Sequence, residues 1–262
     1  MLVKAQAANL QLDLEEIMKY QLTPVPYCIG TADGFLAKTD KSKALQHVTK
    51  DCVNSDVLPI KETLTVIDGN TIFHMMKDIP PNFSQVSTKV FSMMPKKGDV
   101  VFSTDNYKED SVTSMERRRR GWGEKLITEG ENTKRPRHWK LFLCYDENKI
   151  QFTNVLVDVW RKDATASGLK DRKVILICEG KAHEFTSQDG KTTDSREAHE
   201  LRSDQEETDT RALLYCWKVK EDYQNIRINT PASDIFFIGL HFAEQFTGVN
   251  LLFDTGTGNK KG

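Results

Sequence analysis

The sequence predicts an α/β fold built on a largely parallel sheet. Short apolar runs recur at 64–67, 99–102, 173–178, 225–229 and 249–253. Segments of helical periodicity separate most of them. Three of the runs lead into an aspartate, namely Asp68, Asp105 and Asp234. Alternating strands and helices argue for a parallel sheet covered by helices. At about 150 residues per domain, a chain of 262 residues is one domain with an appendage.

The appendage is expected over residues 1–60. Leu10, Leu14, Ile17 and Met18 line one face of a helix over 1–20. Thr23-Pro24-Val25-Pro26 is extended, Ala32-Asp33-Gly34 is a turn that suggests a small hairpin, and 41–49 is helical. The main domain is expected over 61–262. Its first strand, 64–67, ends at Asp68-Gly69-Asn70, and helices follow at 71–77 and 83–94. The second strand, 99–102, is separated from Asp105 by Ser103 and Thr104. One long apolar helix is predicted over 139–160, a polar surface loop over 161–170, and a strand over 173–178. Residues 181–186 and 191–194 form an inserted hairpin around Gln188-Asp189-Gly190. A helix over 206–220, a strand over 225–229, an apolar run over 235–246 and a last strand over 249–253 complete the order.

Thirteen Phe, six Tyr and four Trp supply the bulk for a core, which excludes a wholly disordered chain. No run of 18 apolar residues occurs, so no membrane span is expected. The first residues carry no apolar signal region and turn acidic early, so an intracellular site, nuclear or cytoplasmic, is expected. Cys28, Cys52, Cys144, Cys178 and Cys216 are scattered without a Cys-x-x-Cys pair. That excludes the usual zinc and thioredoxin-like spacings. Cys144 and Cys178 sit in apolar stretches and are expected to be reduced core residues. The six histidines lack paired metal-ligand spacing, and His74 and His241 are expected in the core or at its rim. No G-x-S-x-G elbow supports a serine hydrolase, and the Gly256-Thr257-Gly258 tail lacks phosphate-loop spacing.

The net charge of −1 hides a strong local asymmetry. Residues 116–140 hold nine Lys/Arg against four Glu, and residues 194–209 hold seven Asp/Glu against two Arg. In a parallel sheet, ligands bind outside the carboxyl ends of the strands. Acids at those ends are ordinary turn and cap residues taken singly. Three at one edge, joined by Glu207 and Asp209, would repel unless a cation lies between them. Mg²⁺ or Mn²⁺ accepts such all-oxygen sets. Ser203 and Glu206 also fit a capping box for the helix that follows. Arg117, Arg118, Arg119 and Arg120 suit phosphate contact, and the neighbouring Trp122 and Trp139 could stack on an unpaired base. A nuclear-import signal or a solvated face would explain the same residues.

The order of these features resembles the flap-endonuclease branch of the PIN-like nuclease superfamily. It also resembles a group of uncharacterised animal proteins associated with mobile elements. The residues that carry this are Leu22 to Pro26, Ile67-Asp68-Gly69-Asn70, Ser114 to Gly121, Asp204 to Arg211 and Phe253 to Lys261. The resemblance implies a PIN-like three-layer sandwich with a mostly parallel sheet. It further implies a Mg²⁺- or Mn²⁺-dependent nuclease acting on DNA or RNA. Asp68, Asp105, Glu207, Asp209 and Asp234 would be the catalytic metal ligands. Arg117 to Arg120 would bind the substrate. Where the branch carries Asp-x-Asp, this chain reads Ala232-Ser233-Asp234. A further acidic element of the branch has no counterpart before Gly262, so the domain is expected to be incomplete at that end. A catalytically degenerate domain that binds nucleic acid or protein is therefore the second expectation.

Overall fold

A computed structural model describes residue 30, residues 40–50, 62–108, 111 and 125–254. The expected helix over 1–20, the hairpin at 32–34, Arg117 to Arg120 and the 256–261 tail lie outside the described residues. The chain divides into two units, Met1–Cys52 and Val53–Gly262. In the first, helix α1 (Lys41–Thr49) is capped by Asp40, whose Oδ1 accepts the Lys43 N–H at 3.2 Å. No side chain of α1 is buried.

The second unit contains a seven-stranded sheet. Its strands are β1 (Thr63–Asp68), β2 (Asp99–Ser103), β3 (Val174–Cys178), β4 (Lys181–Thr186), β5 (Asp194–Glu197), β6 (Asn225–Asn229) and β7 (Asn250–Asp254). The spatial order is β5-β4-β3-β2-β1-β6-β7. The pairs β3-β2, β2-β1, β1-β6 and β6-β7 are parallel, while β4 runs antiparallel to both β3 and β5. The hairpin thus extends one edge of a parallel sheet. Its β3–β4 turn places Glu179 at φ 47° and Gly180 at φ 75°, the pair of positive values that a two-residue hairpin needs. The far arm of the hairpin begins at Asp194, three residues beyond the expected start, because Asp189 folds 189–192 into a turn. Its Oδ1 accepts the Lys191 and Thr192 N–H groups at 2.7 and 2.8 Å.

Among the described residues, six helices pack on this sheet: α2 (Gly69–Met75), α3 (Phe83–Met93), α4 (Trp139–Leu143), α5 (Asp146–Trp160), α6 (Thr208–Val219) and α7 (Ser233–His241). Strand side chains alternate between faces. Val100, Phe102, Val174 and Leu176 enter a core with Phe73, Phe83, Phe142, Phe152 and Trp160 of α2 to α5. Leu64, Val66, Val101, Ile175, Ile226 and Ile228 enter a second core with Leu213, Tyr215 and Ile235 of α6 and α7. The central strands are apolar on both faces because helices cover both.

Several expectations are corrected by packing. The helix expected over 139–160 is two helices, interrupted at Cys144-Tyr145. Asn148 is buried there, and its Nδ2 donates to the Phe142 carbonyl at 2.9 Å while its Oδ1 accepts the Leu126 N–H at 2.9 Å. The break leaves Cys144 exposed, whereas Cys178 is buried as expected. The loop expected over 161–170 contains a 3₁₀ turn (Asp163–Gly168) that buries Ala166, with Leu169 buried just beyond it. His74 and His241 are exposed. Among the described residues, no helix is long and apolar enough to cross a membrane.

Candidate active site

Asp68 is the last residue of β1 and the N-cap of α2. Its Oδ1 accepts the N–H groups of Asn70 and Thr71 at 3.0 and 3.3 Å, and its Oδ2 accepts the Thr71 hydroxyl at 2.7 Å. Burial pushes this carboxyl above the usual range; the hydrogen bonds from Thr71 and Asn70 oppose the shift, and the charge of Asp105 adds to it. The helix can begin at once because residue 69 is glycine. A Cβ there would lie 2.3 Å from Cε1 of the buried Phe102 ring.

Asp105 follows β2. Ser103 and Thr104 do not carry it away from the sheet. Ser103 is the last residue of β2, in register with Asp68. Thr104 is buried, and both its N–H and its hydroxyl donate to the Ile177 carbonyl, at 3.2 and 2.8 Å. Asp105 is then aimed at α6, where its Oδ1 accepts the Thr208 N–H at 3.0 Å.

This contact replaces the expected capping box. Helix α6 starts at Thr208, with Glu207 in the N-cap position and no side-chain cap from Glu207. Ser203 accepts instead from the Gln205 N–H at 3.2 Å, and Glu206 Oε1 accepts from Ser111 Oγ at 2.6 Å. Arg211 holds the two loops together. It is fully buried; its Nη1 donates to the Thr104 carbonyl and its Nη2 to the Glu206 carbonyl, each at 2.9 Å. Its signal in the sequence is slight: an arginine at the start of the run Ala-Leu-Leu-Tyr-Cys-Trp, four residues after Glu207.

Asp209, in the first turn of α6, reports where the other acids are. Its carboxyl is pushed up to about 6, first by burial and then by the charges of Asp68, Asp105, Asp234 and Glu207. Asp234 occupies the first turn of α7, just past β6. All five acids thus share one electrostatic neighbourhood beyond the carboxyl ends of β2, β1 and β6. The chain builds β2 and β3 to one side of β1 and returns to lay β6 on the other. Asp68 ends β1 and Asp234 begins the helix that follows β6, so the two acids flank the topological switch point between those strands, the position at which open α/β sheets bind ligands.

The cluster is crowded without being closed. Among the described residues, no three acid, histidine or cysteine side chains converge as a ready coordination set. Asp68 and Asp105 direct oxygens at helix N–H groups instead. The donor chemistry fits a hard dication: every candidate ligand is a carboxylate, and Asp209 is raised by like charges that such an ion would offset.

Cationic groups lie on the α2 side. The Lys149 ammonium is 4.4 Å from the centre of the Tyr107 ring and 3.0 Å from Asp146 Oδ1, and the Tyr107 hydroxyl donates to Asn70 Oδ1 at 3.2 Å. Burial, then Lys149 and Lys140, hold the imidazole of His74 below its ordinary pKa. Lys134, Arg135, Arg137 and Lys140 are exposed. Trp139 is not available to stack on a base. It is buried against Phe142 and donates its Nε1–H to the Phe73 carbonyl at 2.9 Å. The strongly exposed tryptophan among the described residues is Trp217, on α6. No protein-family model, curated protein or solved structure matches the chain.

Proposed function

We propose that the chain is a divalent-metal-dependent nuclease with a PIN-like domain, hydrolysing phosphodiester bonds of DNA or RNA inside the cell, in the nucleus or cytoplasm. The observation that carries this is the elevated Asp209, whose carboxyl feels four acids drawn from two strand ends and two helix starts. Acids that repel one another cost stability unless a ligand compensates, and such sites are functional candidates on that ground. Asp68, Asp105, Glu207, Asp209 and Asp234 would hold Mg²⁺ or Mn²⁺. Bound there, the ion supplies Lewis-acid stabilisation of a phosphoryl group and acidifies a water to serve as nucleophile. The chain's own residues bind and orient the strand. The exposed Lys140 draws the backbone phosphates toward the α2 side, and Arg117 to Arg120 contact the phosphates beside the scissile one. Arg211 acts as a positioning residue, because it clasps the segments bearing Asp105 and Glu207.

The test is cleavage of labelled single-stranded, flapped and duplex DNA and of RNA, with Mg²⁺, Mn²⁺ or EDTA. Metal-dependent cleavage lost in Asp68→Asn and Asp209→Asn is expected. Turnover that survives both substitutions would discredit the site. One observation favours a second reading, a degenerate domain that binds nucleic acid or protein without cutting: among the described residues, no carboxylates converge as a ready coordination set. Binding of the same oligonucleotides without cleavage at any metal concentration would select it.

A further inference from the structure

Helices α6 and α7 leave a pocket of about 830 Å³ between them. Leu213 and Phe246 form its buried wall. Trp217 and Phe242 stand in it with 48% and 39% of their surfaces exposed. Glu207 lines one end and so belongs to both the pocket and the carboxylate cluster. Beside the pocket, the Lys220 ammonium lies 5.8 Å from the centre of a Trp217 ring and donates to the Gln245 carbonyl at 2.8 Å. From Glu207 to Trp217 the helix rises about 15 Å.

We propose that this pocket takes an unpaired nucleobase from the strand whose scissile phosphate lies at the carboxylate cluster. The inference rests on the nuclease reading and narrows its substrate to single-stranded or locally unpaired nucleic acid. Two features select this occupant. The pocket is continuous with the cluster through Glu207, so a ligand in it is tethered to the reacting group. Its chemistry is that of a base site: aromatic faces accept any base by stacking, and the side-chain amides of Gln205 and Gln245 can pair with base edges. A paired base cannot reach the pocket without leaving its stack.

The experiment uses the full chain carrying Asp68→Asn, which removes turnover, with Mn²⁺ and dye-labelled single-stranded DNA or RNA containing 2-aminopurine. Binding is read by anisotropy and stacking by quenching of the 2-aminopurine. Trp217→Ala is expected to weaken binding about tenfold and to abolish the quenching. Trp217→Phe is expected to restore much of both, and Phe242→Ala to weaken binding less. Unchanged affinity and quenching in Trp217→Ala and Phe242→Ala, with metal-dependent cleavage intact in the chain bearing Asp68, would overturn the pocket and leave the nuclease reading standing. A dimer that Trp217→Ala dissolves without changing oligonucleotide affinity would assign the groove to a second copy and overturn the proposal. Failure of the parent to bind either strand would remove the nuclease reading and the pocket with it.

Discussion

Both oxygens of Asp68 accept hydrogen bonds at the start of α2. Oδ1 caps α2 through two N–H groups, and an asparagine carbonyl can accept the same bonds. Asp68→Asn is therefore expected to stay within about 0.5 kcal/mol of the parent in urea unfolding, while Asp68→Ala loses the cap at about 1 kcal/mol. Both are expected to lose metal-dependent cleavage. Equal destabilisation by the two substitutions would argue against the cap. Asp209 sets a pH dependence whose sign follows from linkage. Its pKa is raised from 3.8 to about 6 in the folded chain. Between those values the folded state holds a proton that the unfolded state has released, so stability falls as pH rises through the window. Screening at this partly exposed group limits the loss to on the order of 2 kcal/mol. The raised carboxyl of Asp68 acts in the same direction. Asp209→Asn is expected to remove most of the slope and to leave the metal-free protein more stable at neutral pH. Urea midpoints from acid to neutral pH, compared with the parent, are the measurement.

At the scale of elements, the site depends on how closely α2 rests on β2 and how the β2 and α6 segments are clasped. The Phe102 ring under Gly69 is confined by Phe73 and Trp160, with ring centres at 5.8 and 5.6 Å. Gly69→Ala must displace the ring or the helix. A cost of about 1–3 kcal/mol is expected, with reduced cleavage because Asp68 moves with the helix; an unchanged melting temperature would show that the contact yields. Arg211 is a different kind of link. Arg211→Met leaves the carbonyls of Thr104, Gln205 and Glu206 without their donor, with an expected loss of about 2–4 kcal/mol and weaker Mn²⁺ binding by calorimetry. Arg211→Lys is expected to recover little, since a single ammonium does not reproduce the planar fork that reaches both loops. Full recovery by lysine would reduce the role of Arg211 to that of a buried charge.

For the molecule as a whole, the acid cluster predicts that a dication stabilises the fold by mass action. Saturation at about a hundred times Kd adds about 2.7 kcal/mol, which is roughly 5–10 °C in a unit of this size. A thermal shift with Mn²⁺ that disappears in Asp209→Asn is expected, and no shift in the parent would count against the cluster as a metal site. Much of this fold was legible in the residues themselves. The runs Leu64-Thr65-Val66-Ile67 and Asn225 to Asn229 became β1 and β6, and Asp68 became the cap its position suggested. The break at Cys144-Tyr145 was not legible, because it depends on Asn148 entering the core under Leu126. The capping box failed for a similar reason: Asp105, about a hundred residues upstream, supplies the acceptor that Ser203 was expected to supply.

What the sequence by itself determined is local. Alternating apolar residues, a glycine after Asp68 and acids after three strands depend only on neighbours a few positions away. They specified an α/β chain with carboxylates at strand ends. Only the tertiary structure decided that those ends meet. Parallel pairing of β2, β1 and β6 sets their carboxyl termini side by side, and the return of the chain to β6 creates the switch point between them. It also decided that Trp139 is sealed in the core while Trp217 faces a pocket. Electric fields and burial are properties of space, and residues far apart in the chain acquire them together only when strand register and helix packing bring them to the same place.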